Sequence, residues 1–276
     1  MTGSLADPDR DSVPDRDPLS ELDTTVPHSA RVWNYWLGGK DNFAADRATG
    51  DQVLRVYPEI AEVARVSRAF LSRVVRYLAG EVGIRQFLDI GTGLPTANNT
   101  HEVAQRVAPA ARIVYVDNDP MVLAHARSLL TSSPEGATDY LDADLREPHR
   151  ILRGAAATLD FDRPVALMLL GILGYVADFE QARGIVRQLL DAVPSGSFLV
   201  INDGTAATDA DVSANRTAQQ AGLQYHLRTR EQFAGFFDDL DLVEPGVVST
   251  PRWRPDTGTM DDQPELAVFC GVARKP

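Results

Sequence analysis

Cysteine and lysine are nearly missing from this chain of 276 residues. Cys270 is its single cysteine, which excludes an internal disulfide framework and fits a reducing cytoplasm. Lysine occurs only at Lys40 and Lys275, a skew toward arginine that makes Lys40, in a Gly-Gly turn, worth following. Long apolar runs are also absent: nothing approaches the roughly 20 residues that cross a bilayer. Before Asp23 there is no apolar core of the kind a secretory signal carries, so a cytoplasmic protein without membrane contact is expected. Positive charge is short as well. The 27 Lys and Arg face 39 Asp and Glu, a formal net charge of -12, and this argues against nucleic acid, whose binders need a basic surface. Arg65, Arg68, Arg73 and Arg76 read as the solvated face of a helix. The five histidines are scattered and suggest no metal site.

What remains is a chain with 44% hydrophobic residues, ample for a substantial core. Residues 1–24 are rich in Asp, Pro and Ser and read as a flexible acidic tail. Residues 25–83 read as a helical N-terminal cap. They hold an aromatic cluster around Trp33, Tyr35 and Trp36, a turn at Gly38 to Asn42, and a helix through Ile60 to Leu78. From residue 84 to 276 strand and helix alternate, which implies a parallel sheet with right-handed crossovers. Strands are predicted at Gln86 to Ile90, Arg112 to Val116, Asp139 to Leu141, Val165 to Leu170 and Ser197 to Ile201. Helices are predicted to begin near Asn99, Pro120, Pro148 and Phe179. The rhythm breaks in an insertion over about 204–228. Thr229 to Gln232 then matches a capping box, and two final strands are expected at Leu242 to Ser249 and Glu265 to Ala273.

The first strand runs into Asp89-Ile90-Gly91-Thr92-Gly93. Two glycines so close permit a tight turn and a near approach of ligand to backbone. Asp89 decides which ligand: it would repel a pyrophosphate and attract an ammonium or sulfonium. The third glycine of a dinucleotide loop is missing, since Thr96 stands there. Further acids end the neighbouring strands: Asp117 and Asp119, Asp142 and Asp144, and Asp203. Such a ring suits a cationic ligand carrying ribose hydroxyls and an adenine amine. Helix capping is an equal reading for Asp119 and Asp144.

On these residues the chain resembles the class I S-adenosylmethionine-dependent methyltransferases. A narrower resemblance, carried by Arg31, Asn34, Leu37 to Phe43, Asp46, Pro95 and Pro245 to Val248, is to an actinobacterial methyltransferase family of largely unassigned substrate. The resemblance implies an α/β, Rossmann-like class I methyltransferase fold: a seven-stranded, mostly parallel sheet with an antiparallel last strand, plus the N-terminal helical extension. It implies S-adenosyl-L-methionine as cofactor. Asp89, Gly91, Thr92 and Gly93 would cradle its methionine part, Asp117 and Asn118 its ribose and adenine, Asp142 and Ala143 its adenine edge. Leu170 and Gly171 would lie beneath the reacting methyl. Leu94-Pro95 departs from the small residue usual in the broader class, and Pro95 stiffens the loop where that class contacts the methionine carboxylate. Catalytic residues are unknown; Tyr175, Asp203 and Tyr35 are the candidates, with His226 and Trp253 as further walls of a substrate pocket. Gly38 to Asn42 is expected to fold over the cofactor site, with Lys40 supporting Asp41 or the cofactor carboxylate; a solvated turn lysine is an equal reading. The function expected is methyl transfer to a small-molecule acceptor. A non-catalytic S-adenosylmethionine-binding regulator is the alternative, and a nicotinamide enzyme is disfavoured.

Overall fold

The structure, a computed structural model, describes residues 22–129 and 131–276. The acidic tail expected over residues 1–24 lies almost wholly outside the described residues. The chain opens with three helices, α1 (Ser29–Trp36), α2 (Ala44–Val56) and α3 (Ile60–Arg76). The α3 helix widens into a π-helical turn, Tyr77–Val82, that ends at Gly83 with φ +88°. Then follow β1 (Gln86–Ile90), α4 (Thr100–Val107), β2 (Arg112–Asp117), α5 (Pro120–Leu129), β3 (Ala137–Asp142) and α6 (Pro148–Ala155). The second half holds β4 (Ala166–Leu170), α7 (Phe179–Asp191), β5 (Phe198–Gly204), α8 (Asp209–Gln220) and α9 (Arg230–Ala234). It closes with β6 (Asp241–Leu242), β7 (Val248–Ser249) and β8 (Val268–Arg274).

The strands form one sheet in the order β3-β2-β1-β4-β5-β8-β6, with β7 also on β8. β1 to β5 pair in parallel, and β8 runs antiparallel to its neighbours. The strand order reverses between β1 and β4, the switch point beside which open α/β sheets bind ligands. The strand predicted at Leu242 to Ser249 is in fact two short pieces. Pro245 has no N–H to offer the ladder and Gly246 takes φ +85°, so pairing on β8 stops after Leu242 and resumes at Val248.

Both faces of the sheet are buried, as the uninterrupted apolar run of β4 requires. Leu88, Ile90, Leu167 and Leu169 face a core shared with α6, α7 and the phenylalanines of α9 and the turn after it. Phe87, Ala166, Met168 and Val200 face the other core, filled by Phe70, Val74 and Leu78 of α3 and its π turn. So α3 is a layer of the sheet. Arg73 is correspondingly buried and donates to the carbonyls of Trp253 and Thr250, contrary to the solvated face predicted for it.

Helices α1, α2 and α8 form a separate patch. Val32, Val53, Ala218 and Leu223 pack together, and the Thr49 hydroxyl donates to the Ala221 carbonyl at the end of α8. Asp46 braces this segment, accepting from the amides of His28 and Phe43 and from Arg31 Nε. Asn34 braces the turn after α1. Its Oδ1 accepts from the Asp41 amide and Asn42 Nδ2, and a Cβ at Gly39 would lie 2.3 Å from it. No helix among the described residues is long and apolar enough to cross a membrane.

Candidate functional site

The loop after β1 is built by its neighbours. The Gly91 amide donates to the Val116 carbonyl at 2.8 Å, and the Gly93 amide to Asp117 Oδ2 at 2.9 Å. Gly91 (φ +78°) passes so close to Ile172 that a Cβ would stand 2.5 Å from it. Gly93 and Gly171 also have positive φ, +63° and +75°, yet nothing lies within 4 Å of where their Cβ would be. Both line the cavity described below. They leave a shallow cradle that any side chain would fill. The residues present therefore fit a cofactor lying across the loop.

Asp89 stands under this cradle, buried and held by the Thr100 hydroxyl at 2.6 Å. Burial pushes its carboxyl up to about 6, against the Thr100 bond and the nearby Arg68 charge. Asp117 at the end of β2 accepts from the amides of Gly93 and Asp119. Burial raises its carboxyl too, against those two bonds. Asp119 caps α5 through the Met121 amide and also meets His28 Nδ1 at 2.7 Å. A protonated ring pairs with the carboxylate at that distance, while Nδ1 of the neutral ring accepts from the Ala30 amide at 3.4 Å. Burial of His28 works against its protonation, but the bond and charge of Asp119 win and raise its pKa.

These groups share a cavity of about 380 Å³ between the strand ends and the patch of α1, α2 and α8. All the predicted cofactor residues line it except Asp142, which is exposed. Asp144, two residues later, lines it instead and accepts from Asn118 Nδ2 at 3.3 Å. Arg68 also lines the cavity, beside Asp89. Its Nη2 donates to Asn99 Oδ1 at 2.7 Å, while its buried Nε has no partner. This corrects the solvated reading of Arg68. The period of α3 is the same whether an arginine faces water or an acid, so only the strand-end acids could have hinted at it.

Beyond β4 the cavity continues to Tyr175 and Asp203. Tyr175 is bonded to Ser29 of α1, and burial pushes its hydroxyl up to about 12. Its ring meets Tyr225 edge-on, centroids 5.1 Å apart. Asp203 is 2% exposed. Its Oδ2 accepts from the Gly174 amide at 3.1 Å, and its Oδ1 has no hydrogen-bond partner. Burial pushes this carboxyl up to about 7, despite the Gly174 bond and the Arg228 charge behind it.

The other expected walls lie elsewhere. Tyr35 donates to Asp51 at 2.7 Å on the outer side of α1 and α2 and does not line the cavity. Trp253 is fully buried in the opposite core, against Phe70 and Tyr77. His226 lies outside the cavity wall, its amide donating to the Gly174 carbonyl. Lys40 is exposed and outside the wall; Asn34, not Lys40, organises its turn. His101 sits in the first turn of α4 against the Tyr115 hydroxyl. Among the described residues no cluster of His, Cys, Asp and Glu could hold a metal.

Comparison with known proteins agrees with this geometry. Residues 15–276 match the model of a family described as S-adenosyl methyltransferase. A DUF574 family protein from Streptomyces avermitilis is 46% identical, with a TM-score of 0.88 over 92% of this chain and 99% of that one. A candidate methyltransferase from Thermobifida fusca is 43% identical, with a TM-score of 0.85 over 92% and 96%. The plantazolicin methyltransferase BpumL, 12% identical with a TM-score of 0.51 over 90% and 96% of the two chains, shares the fold. A search of curated proteins found no match. The chain belongs to the S-adenosyl methyltransferase family and is a class I methyltransferase that uses S-adenosyl-L-methionine.

Proposed function

We propose that the acceptor is a small molecule enclosed beneath α1, α2 and α8, with the donor bound at the ends of β1, β2 and β3. The observation that carries this reading is the continuity of the cavity. One space runs from Asp117 and Asn118, past Gly93, Arg68 and Gly171, to Asp203 and the apolar side of α8. A cavity of about 380 Å³ is within the size of sites that bury small ligands.

Bound S-adenosylmethionine supplies a methyl group already activated on a sulfonium, so the chain's task is alignment and exclusion of water. Asp89 accepts from the donor's ammonium and Arg68 pairs with its carboxylate, which the Leu94-Pro95 loop leaves unmet. The unpartnered Nε beside Asp89 supports that pairing. Asp117 receives the ribose hydroxyls. Ala143 and Asp144, with Asn118, meet the adenine edge. Here Asp144 takes the place assigned to Asp142 on sequence, because it is the acid on the cavity wall.

Calorimetric titration with S-adenosylmethionine, S-adenosylhomocysteine and NAD tests the donor assignment. Release of labelled methyl from the cofactor across a panel of metabolites and of small peptides and proteins tests the acceptor. Binding of both sulfur compounds with transfer to a small molecule is expected. Transfer confined to folded proteins would overturn the small-molecule reading.

A further inference from the structure

We infer that the acceptor is an amine, with an apolar or aromatic body, whose nitrogen seats against Asp203. The inference rests on the donor placement just proposed, and three observations of the acceptor end carry it.

The first is position. β5 is separated from β1 by β4 alone, and neighbouring strands lie roughly 4.8 Å apart. The register aligns Asp89 with Met168 and Met168 with Val200, so Asp203 stands two strands over and three residues further toward the strand ends, on the order of 14 Å from Asp89. Gly171 lies between, its amide bonded to the Asn202 carbonyl. The second is the state of Asp203 itself. It is a carboxylate with one oxygen bonded to Gly174 and the other without a partner, on the cavity wall and nearly sealed from solvent. The Thr205 hydroxyl, also buried on this wall, lacks a partner too. Buried polar groups left in this condition are costly unless something else completes them. The third is the character of the remaining wall. Trp33, Trp36, Tyr57, Tyr175 and Tyr225 supply ring faces, and the basic residues of the lining, His28, Arg68 and Arg146, all stand at the donor end. Arg228 lies behind Asp203, tied to the carbonyls of Val176 and Ala177, and does not line the cavity. An end with acids and aromatic faces but no lining cation attracts an ammonium and repels a carboxylate or phosphate.

The chemistry closes without a further reagent. The bound ammonium gives one N–H proton to the Asp203 carboxylate, and the neutral amine so formed attacks with the electron pair this frees. The C–N bond forms as the C–S bond breaks, and the departing pair stays on sulfur. The sulfonium charge passes to the methylated nitrogen, which leaves as an ammonium, and Asp203 returns its proton to solvent when the site opens. A carboxyl raised toward neutrality by burial is suited to take a proton near pH 7. The titratable groups facing it are Tyr175 and the Arg228 guanidinium.

The test measures binding to the intact chain, with and without S-adenosylhomocysteine. Probes are matched sets: 2-phenylethylamine, 2-phenylethanol and 3-phenylpropanoate, and the hexyl series of amine, alcohol and acid. In at least one set the amine should bind tenfold or more tightly than its alcohol and acid partners. Asp203→Asn should remove that preference while leaving alcohol binding within about twofold; a melting curve for the variant confirms folding. Thr205→Val, a second variant, should weaken the amine by a smaller factor. Amines that gain nothing over their partners in either set, or a preference that survives Asp203→Asn in a folded variant, overturn the proposal. Failure of S-adenosylhomocysteine to bind would instead refute the donor placement, and because the amine sets are also read without it, the two failures are separable.

Discussion

In the proposed donor site one buried carboxyl, Asp89, would carry both recognition and pH dependence. Its value of about 6 lies well above the ordinary carboxylate range, and only its ionised form attracts the donor's ammonium. Affinity for S-adenosylmethionine should therefore fall as pH drops through about 6, approaching tenfold per pH unit below it. Calorimetry between pH 5 and 8 reads this directly, and Asp89→Asn should flatten the profile. Arg68 gives a second expectation. Arg68→Met should cost S-adenosylhomocysteine about 10–100-fold in affinity, the range for a lost charge-assisted bond. 5′-Methylthioadenosine, which lacks the amino-acid portion, should bind the variant as it binds the wild type. Equal losses for both ligands would mean Arg68 acts by packing alone. At this scale the sequence pointed to cavity-lining acids where acids follow strands, as at Asp89, Asp117 and Asp203. It misled on Arg68, read as solvated, because burial of a long basic side chain depends on the tertiary partner it meets. The choice between Asp142 and Asp144 was equally hidden. The register ends at Asp142, paired with Asp117, and which acid then turns inward is set by the loop.

Elements join through a few polar ties that no local pattern announces. His28, before α1, grips Asp119 at the start of α5, fastening the N-terminal helices to the donor side. The pKa of His28 is raised in the folded chain. Its stabilising contribution is thus complete below the unfolded value near 6.5 and is lost as pH rises through the folded value. The melting difference between wild type and His28→Ala should be largest at pH 6 and shrink above pH 8. Trp253 is a different kind of tie. It fills the core between the sheet, Phe70 and Tyr77, and Arg73 holds its carbonyl. Trp253→Ala should cost about 3–5 kcal/mol in urea unfolding, with the donor affinity of the folded fraction unchanged. Read in sequence, this tryptophan belonged to a loop between two strands. Nothing in its neighbours showed that the loop folds back under the sheet. The helices and parallel strands were legible because their apolar periods are long, whereas the break at Pro245 was not weighed against the apolar residues on either side.

Across the whole molecule, the sheet edge orders the ligand. The cavity is lined by the ends of β2, β1 and β3 on one side and by the end of β5 with α1, α2 and α8 on the other, the sides proposed for donor and acceptor. The patch joining those helices is small, Val32 and Val53 against Ala218 and Leu223. Ala218→Asp should disturb it without reaching the sheet cores. Labelled-methyl transfer should drop tenfold or more while the affinity for S-adenosylhomocysteine stays within about threefold, since burying a charge there disfavours closure of the patch. A parallel collapse of both would show that the helices support the donor end as well. The net charge of -12 argues against nucleic acid but leaves small molecules and protein side chains equally open; of the acids, Asp89, Asp117, Asp144, Asp203 and Asp211 line the cavity.

The clasp between Thr49 and Ala221 closes the acceptor end with two pieces of chain separated by the whole donor-binding stretch. Neither piece carries a group assigned to the methionine, ribose or adenine. Drift in residues 29–60 and 205–227 can therefore change what is methylated while the methyl source stays fixed. Two such chains could keep nearly identical sheets and diverge completely in their products, with their difference written only in the helices that meet above the sheet.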